Sequence, residues 1–263
     1  MKKTVIILTV PRSGSSLLAG ILHRLGVSMG QSSDLTLGKH LNKYGCYEDQ
    51  WFQSISLNIL FEAHILLDIT RRLDMDEDRM KAVVEKYRSE LLRFFNHRHP
   101  NIWGFKDPGL IYHLPYYHSY LENPYHIHLI RNTLDTAESW YKTFRSAYWW
   151  PELKEKFPLF TPKNRVLTIL RSIFLFFSRQ KDYTQRGSFE QVIEHGHDRI
   201  MNFIGDKKHM TVYLNDLLQS PAEQISKIEN FIQLDHDELK FADALDFIDP
   251  KILNTSSTIP QNV

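Results

Sequence analysis

The chain is 263 residues long, with 42% hydrophobic and 24% charged residues and a formal net charge of +1. Its 32 basic residues nearly balance 31 acidic ones, so no global field draws it to nucleic acid or an anionic membrane. The single cysteine, Cys46, excludes an internal disulfide and a cysteine-rich zinc site, and no run of 18 apolar residues occurs that would span a membrane. A cytoplasmic setting is expected, because the opening "MKKTVIILTV" is interrupted by Pro11 and Arg12 and lacks a small-residue cleavage site.

Thr4 to Val10 is β-branched and apolar without alternation, as in a strand covered on both faces. From Ser16 the apolar residues Leu17, Leu18, Ile21, Leu22 and Leu25 recur at helical spacing, with Gly26 as C-cap. Pro11 to Ser15 is therefore a tight strand-to-helix turn. A polar loop, Ser28 to Gly45, leads to helices expected over Glu48–Leu67 and Asp74–Asn96. Residues 101–106 and 125–131 read as strands, and 132–144 as a helix capped by Asn132. The aromatic-rich stretch Tyr148–Tyr183 is expected to be helical, followed by a helix over Phe189–Ile204 and a strand over 209–214. Ser220–Ile232 closes as a helix with Pro221 in its first turn, and the tail after Asp249 is expected to be ordered only in part.

Strands alternating with helices predict an α/β fold, a central parallel sheet flanked by helices, in one domain over residues 1–263. Ligands in such sheets gather at the carboxyl ends of strands, where Pro11–Ser16, Lys106–Asp107 and Arg131 all fall. The turn aims backbone N–H groups and a helix N-terminus at one point, the arrangement that holds anions. Gly14 permits the backbone, Ser13, Ser15 and Ser16 add hydroxyls, and Arg12 adds charge. Alone, the same residues also describe a serine-capped turn with a surface arginine. The turn lacks the Gly-Lys pair of a nucleoside-triphosphate loop, and no acidic residue ends an apolar strand to hold magnesium. A phosphate-like group bound without a metal is what remains.

"PRSGSS" resembles the 5′-phosphosulfate loop of sulfotransferases that use 3′-phosphoadenosine 5′-phosphosulfate (PAPS). "LIRNTLDTAESWYKTF" resembles the same family's 3′-phosphate segment, an arginine ending a strand and a serine eight residues later, here Arg131 and Ser139. "VYLNDLLQSPAEQISKIENFIQL" is similar to a third family segment, which implies Tyr213 beside the adenine, and "GFKDP" implies Lys106 as a strand-end cation. The resemblance covers residues 1 to about 235 and implies a P-loop-like sulfotransferase architecture. It implies PAPS as donor, adenosine 3′,5′-bisphosphate as product, no metal, and a small-molecule or carbohydrate acceptor. Asn132 and Thr133 replace the Asp-Pro that commonly follows the arginine, and no Arg-Lys-Gly loop follows near the C-terminus, where only Lys251 is offered.

Pro108 stands where many cytosolic relatives carry a histidine base. Other branches use a glutamate after the first helix, which implies Glu48, with Asp49 and His40 as alternatives; Glu48 could equally be a carboxylate at a helix start. The H-x-H pairs at 97/99, 126/128 and 195/197 lack a third ligand at metal-site spacing, and 126/128 share one face of a buried strand. Trp140, Tyr141, Tyr148, Trp149 and Trp150 could wall an acceptor pocket, although aromatics at helical spacing are more often core. Two other classes stay open: a P-loop kinase-like phosphotransferase and a catalytically silent nucleotide-binding module.

Overall fold

The computed structural model describes residues 2–30, 46–66, 69–97, 100–145, 157–169 and 186–248. The strands β1 (Lys3–Leu8), β2 (Ile102–Lys106), β3 (Pro124–Ile130) and β4 (His209–Tyr213) form one sheet in the order β2-β1-β3-β4. All three pairings are parallel. Ile7 of β1 lies level with Lys106 of β2, and Leu8 with His128 of β3, so the three carboxyl ends meet at one edge.

Successive side chains of β1 enter opposite cores, which is why its sequence shows no polar alternation. Val5 and Ile7 pack with helix α1 (Ser15–Arg24), while Ile6 and Leu8 pack with helix α2 (Gln50–Glu62). Asp49 caps α2 by accepting a bond from the Phe52 amide at 3.0 Å. The helix predicted over Asp74–Asn96 is two, α3 (Glu77–Lys86) and α4 (Arg88–Asn96). Tyr87 breaks it: φ −93° and ψ 5° leave the helical region, and its hydroxyl donates to Glu62 of α2 at 2.9 Å.

A short helix α5 (Leu110–His113) follows β2, and α6 (Thr133–Arg145) follows β3 with Asn132 Oδ1 accepting the Asp135 amide at 3.1 Å, as the sequence predicts. Within the expected aromatic helices, Phe157–Leu159 is instead a 3-10 turn and backbone at 162–169 is helical; residues 148–156 and 170–183, the loop at 31–45 with His40, and the tail with Lys251 lie outside the described residues. Helix α7 (Arg186–Ile204) packs on α6, and α8 (Leu214–Gln219), α9 (Pro221–Ile232) and α10 (Glu238–Asp246) complete the chain order. Periodicity did not single out α10, which Asp237 caps by accepting amides of Leu239 and Lys240. None of the described helices is long and apolar enough to cross a membrane.

Candidate functional site

The turn after β1 places Arg12 at φ 69° and Gly14 at φ 88°, both left-handed, a conformation glycine adopts freely and arginine does not. A side chain at Gly14 would also press on Leu214, because its Cβ would stand 3.0 Å from Leu214 Cδ2. The Arg12 backbone is held from outside the turn. Arg131 Nη1 donates to the Arg12 carbonyl at 3.1 Å, and Arg12 Nε donates to Ser139 Oγ at 3.2 Å. The fold thus joins two motifs separated by more than a hundred residues.

Helix α1 begins with no side chain capping its amides. Ser13 Oγ, on a fully buried residue, has no hydrogen-bond partner. Free helix-start amides, an orphaned hydroxyl and converging cations are what a phosphate or sulfate needs. Arg131 is lowered from its ordinary value first by burial, with the like charge of Arg12 adding to that effect and Asp135 opposing it. Two guanidiniums in repulsion favour an anion between them. The chain's residues therefore fit the two phosphate ends of the nucleotide that the sequence resemblance implies.

The second half of the site is buried. Lys106 Nζ donates to Glu48 Oε1 at 2.9 Å, with side chains 4% and 7% exposed. It also reaches Ser16 Oγ at 3.2 Å and Ser15 Oγ at 3.4 Å. Gln53 donates to the other Glu48 oxygen, Oε2. Glu48 thus faces the loop, whereas its neighbour Asp49 is the helix cap. Arg12, by contrast, is exposed and lies with Arg131 and Ser139, so the arginine of the turn stands at the surface while the strand-end lysine is buried. Tyr213 ends β4 with 52% of its surface open.

Behind Lys106 runs a chain of buried polar groups that motif spacing did not reveal. Ser56 donates to Asp107 Oδ1 at 2.7 Å, so the His113 Nε2 2.9 Å from Ser56 Oγ carries the proton and Nδ1 accepts from Tyr117 at 2.7 Å. Burial lowers His113 to about 3, which keeps it neutral. Asp107 Oδ1 also accepts the Gly109 amide at 2.7 Å, which fixes the strand end that carries Lys106.

The H-x-H pair on β3 finds imidazole partners: His128 Nε2 is 2.9 Å from His197 Nδ1, and His126 Nε2 is 3.0 Å from His118 Nε2. Among the described residues, no three His, Cys, Asp or Glu side chains cluster as a metal set. Trp140 is 5% exposed and packs edge-on to Phe189 of α7, so at least this aromatic belongs to the core.

Three solved structures align with this chain. The sulfotransferase domain from the curacin biosynthetic pathway superposes with a TM-score of 0.52 at 16% identity, over 91% of this chain and 77% of that one. The sulfotransferase domain from the Synechococcus PCC 7002 olefin synthase gives 0.46 at 16% identity, over 99% and 90%. A sulfotransferase from Alicyclobacillus acidocaldarius gives 0.38 at 11% identity, over 96% of each chain. At these identities the likeness speaks for fold alone, and only the first match reaches a TM-score that carries weight. No curated protein matches the chain. The family model described as a sulfotransferase domain matches residues 2–249, from β1 to just past α10. A match of that extent takes in the whole described fold, and this chain belongs to the sulfotransferase family of enzymes.

Proposed function

We propose that the chain transfers a sulfuryl group from PAPS to a hydroxyl or amine of a small-molecule or carbohydrate acceptor, in line and without a metal. The observation that carries this reading is the junction of the loop with the Arg131–Ser139 segment, through the Arg12 to Ser139 and Arg131 to Arg12 bonds. It joins at one edge the two motifs that the donor's two phosphate ends require.

When bound, the donor supplies the sulfuryl group, and negative charge grows on its bridging oxygen. Ser13, Gly14, Ser15 and Ser16 offer amides and hydroxyls at the start of α1, and Lys106 stands beside Ser15 and Ser16 with its charge. A donor aimed where charge develops contributes about 3–4 kcal/mol to catalysis. Arg131 and Ser139 hold the 3′-phosphate, and Tyr213 lies by the adenine. Glu48 is the base that takes the acceptor's proton, and its bond to Lys106 keeps the carboxylate beside the reacting centre.

Titration with adenosine 3′,5′-bisphosphate, ATP and GTP, with and without magnesium, tests the reading. The bisphosphate is expected to bind tightly without metal. Tight ATP binding that depends on magnesium would favour the phosphotransferase class instead. Sulfuryl transfer to a panel of phenols, sugars and alcohols then separates an enzyme from a silent nucleotide-binding module.

A further inference from the structure

Arg72 closes a 3-10 turn, Ile69–Arg72, and is 8% exposed. Its Nε donates weakly to the Ile65 carbonyl at 3.4 Å, while Nη1 is buried without a hydrogen-bond partner. No carboxylate of the described residues pairs with it. Its guanidinium carbon lies 5.3 Å from the Trp140 ring centre and 5.5 Å from that of Tyr112. Arg199 offers a contrast in the same neighbourhood: 5.9 Å from the Tyr112 ring, it is paired with Glu77 at 2.8 Å. One of two arginines beside Tyr112 is neutralised by an acid, and the other holds an unused donor in the core.

Burying a guanidinium with a donor left over is unfavourable unless an anion completes it. The Tyr112 hydroxyl takes one side-chain hydrogen bond from Arg72, and the Trp140 ring faces the cation without an acceptor oxygen, so Nη1 is the donor left over. Both rings stand on elements that follow strands carrying site residues. Trp140 directly follows Ser139 on α6, and Tyr112 lies on α5, which leaves the strand end that carries Lys106. The bracket around Arg72 is thus built from the helices that follow β2 and β3, the strands flanking the phosphate loop.

We propose that Arg72 is a carboxylate-binding subsite for the acceptor, so that the preferred acceptor is a hydroxy- or amino-carboxylic acid. This rests on the sulfuryl-transfer reading. The unpartnered Nη1 offers a carboxylate oxygen a charge-assisted bond that an uncharged group would accept less strongly. Because Nη1 is covered in the ligand-free chain, admitting the carboxylate requires a neighbouring side chain to move.

The test uses the full chain, free and saturated with adenosine 3′,5′-bisphosphate, titrated with 4-hydroxyphenylacetate, 3-(4-hydroxyphenyl)propionate and 6-hydroxyhexanoate, each against its amide. At least one acid is expected to bind tenfold or more tighter than its amide. Arg72→Met should remove that preference while bisphosphate affinity stays within twofold, and Arg72→Lys should keep part of it. Acids and amides that bind wild type alike, or not at all, would overturn the subsite, as would a preference that survives Arg72→Met. If Arg72→Met fails to fold, the wild-type ratio and Arg72→Lys still decide. Bisphosphate titration reports separately on the sulfuryl-transfer reading, because a chain that fails to bind it can still be scored on the acid-to-amide ratio.

Discussion

Lys106 and Glu48 hold each other in the core, and each constrains what a substitution at the other can do. Replacing one partner of a buried ion pair leaves the other charge uncompensated, at a cost of about 3–5 kcal/mol. Glu48→Gln keeps the shape and the Gln53 neighbour but removes the charge that Lys106 now answers to. The variant is expected to bind the bisphosphate as well as wild type or better, with turnover lowered by ~10²–10⁴ if Glu48 is the base. Near-native turnover would move the base elsewhere, and Asp49 is a poor replacement because its carboxylate caps α2. Arg131→Ala is a binding defect of a different kind. It removes both the proposed phosphate clamp and the bond that steadies the left-handed Arg12 backbone, so bisphosphate affinity should fall by at least tenfold. Ser139→Ala should cost less, since a single neutral hydroxyl is lost. A change within about twofold for Arg131→Ala, far below the energy of a charge-assisted pair, would remove the assignment of the clamp.

At the level of elements, strand ends decide where the chemistry stands. β2 delivers Lys106, and its Gly104 is closely approached: a Cβ there would lie 2.7 Å from the Val5 carbonyl oxygen and 2.9 Å from Met29 Sδ. Backbone of the neighbouring strand cannot step aside as a side-chain tip can. Gly104→Ala is therefore expected to destabilise the fold by about 1–3 kcal/mol and to displace Lys106 from Glu48. Thermal unfolding and turnover measured together check this, and an unchanged midpoint would contradict it. The strands, α1 and α6 were legible because each is long, periodic or capped by a residue of the right kind. The break at Tyr87 was not legible, since α3 and α4 share one continuous periodicity, and what lies at the break is a set of bonds across to α2, from Lys86 and Tyr87 to Glu62.

The whole molecule buries more imidazole than the site requires. Burial lowers His113 to about 3 and His126 to about 4, the latter against the bond that its Nδ1 donates to the Lys208 carbonyl. Burial also lowers His128 and His197, which share a proton-bearing contact. These groups are neutral in the fold and take up protons when the chain unfolds, so the unfolded state binds more protons below the ordinary histidine range. Stability is then fully present above about pH 6.5 and is lost as pH falls toward 4, at roughly 1.4 kcal/mol per pH unit for each histidine that stays neutral. A falling thermal midpoint between pH 7 and 5 is the expected result, and a flat one would show that these rings are not buried as described.

The sequence by itself determined what is local. The strand-turn-helix at Arg12–Ser16, the Arg131–Ser139 spacing and the Lys106 strand end are each written in adjacent residues, because turn chemistry and helical period act over a few positions. From these it also settled the parallel α/β class, since buried parallel strands and covering helices have distinct patterns. Tertiary structure alone decided which of them meet. Gln53 reaches Glu48 across a helix start, the Ser56–His113–Tyr117 chain backs Asp107 from two helices, and Arg72 sits between rings of α5 and α6. No period or motif links Ser56 to Asp107 and His113, or Arg72 to Tyr112 and Trp140, because their proximity arises from how helices pack on the sheet. Which cation is buried and which exposed followed from the same packing: β2 carries Lys106 inward to Glu48, and the turn after β1 leaves Arg12 at the surface.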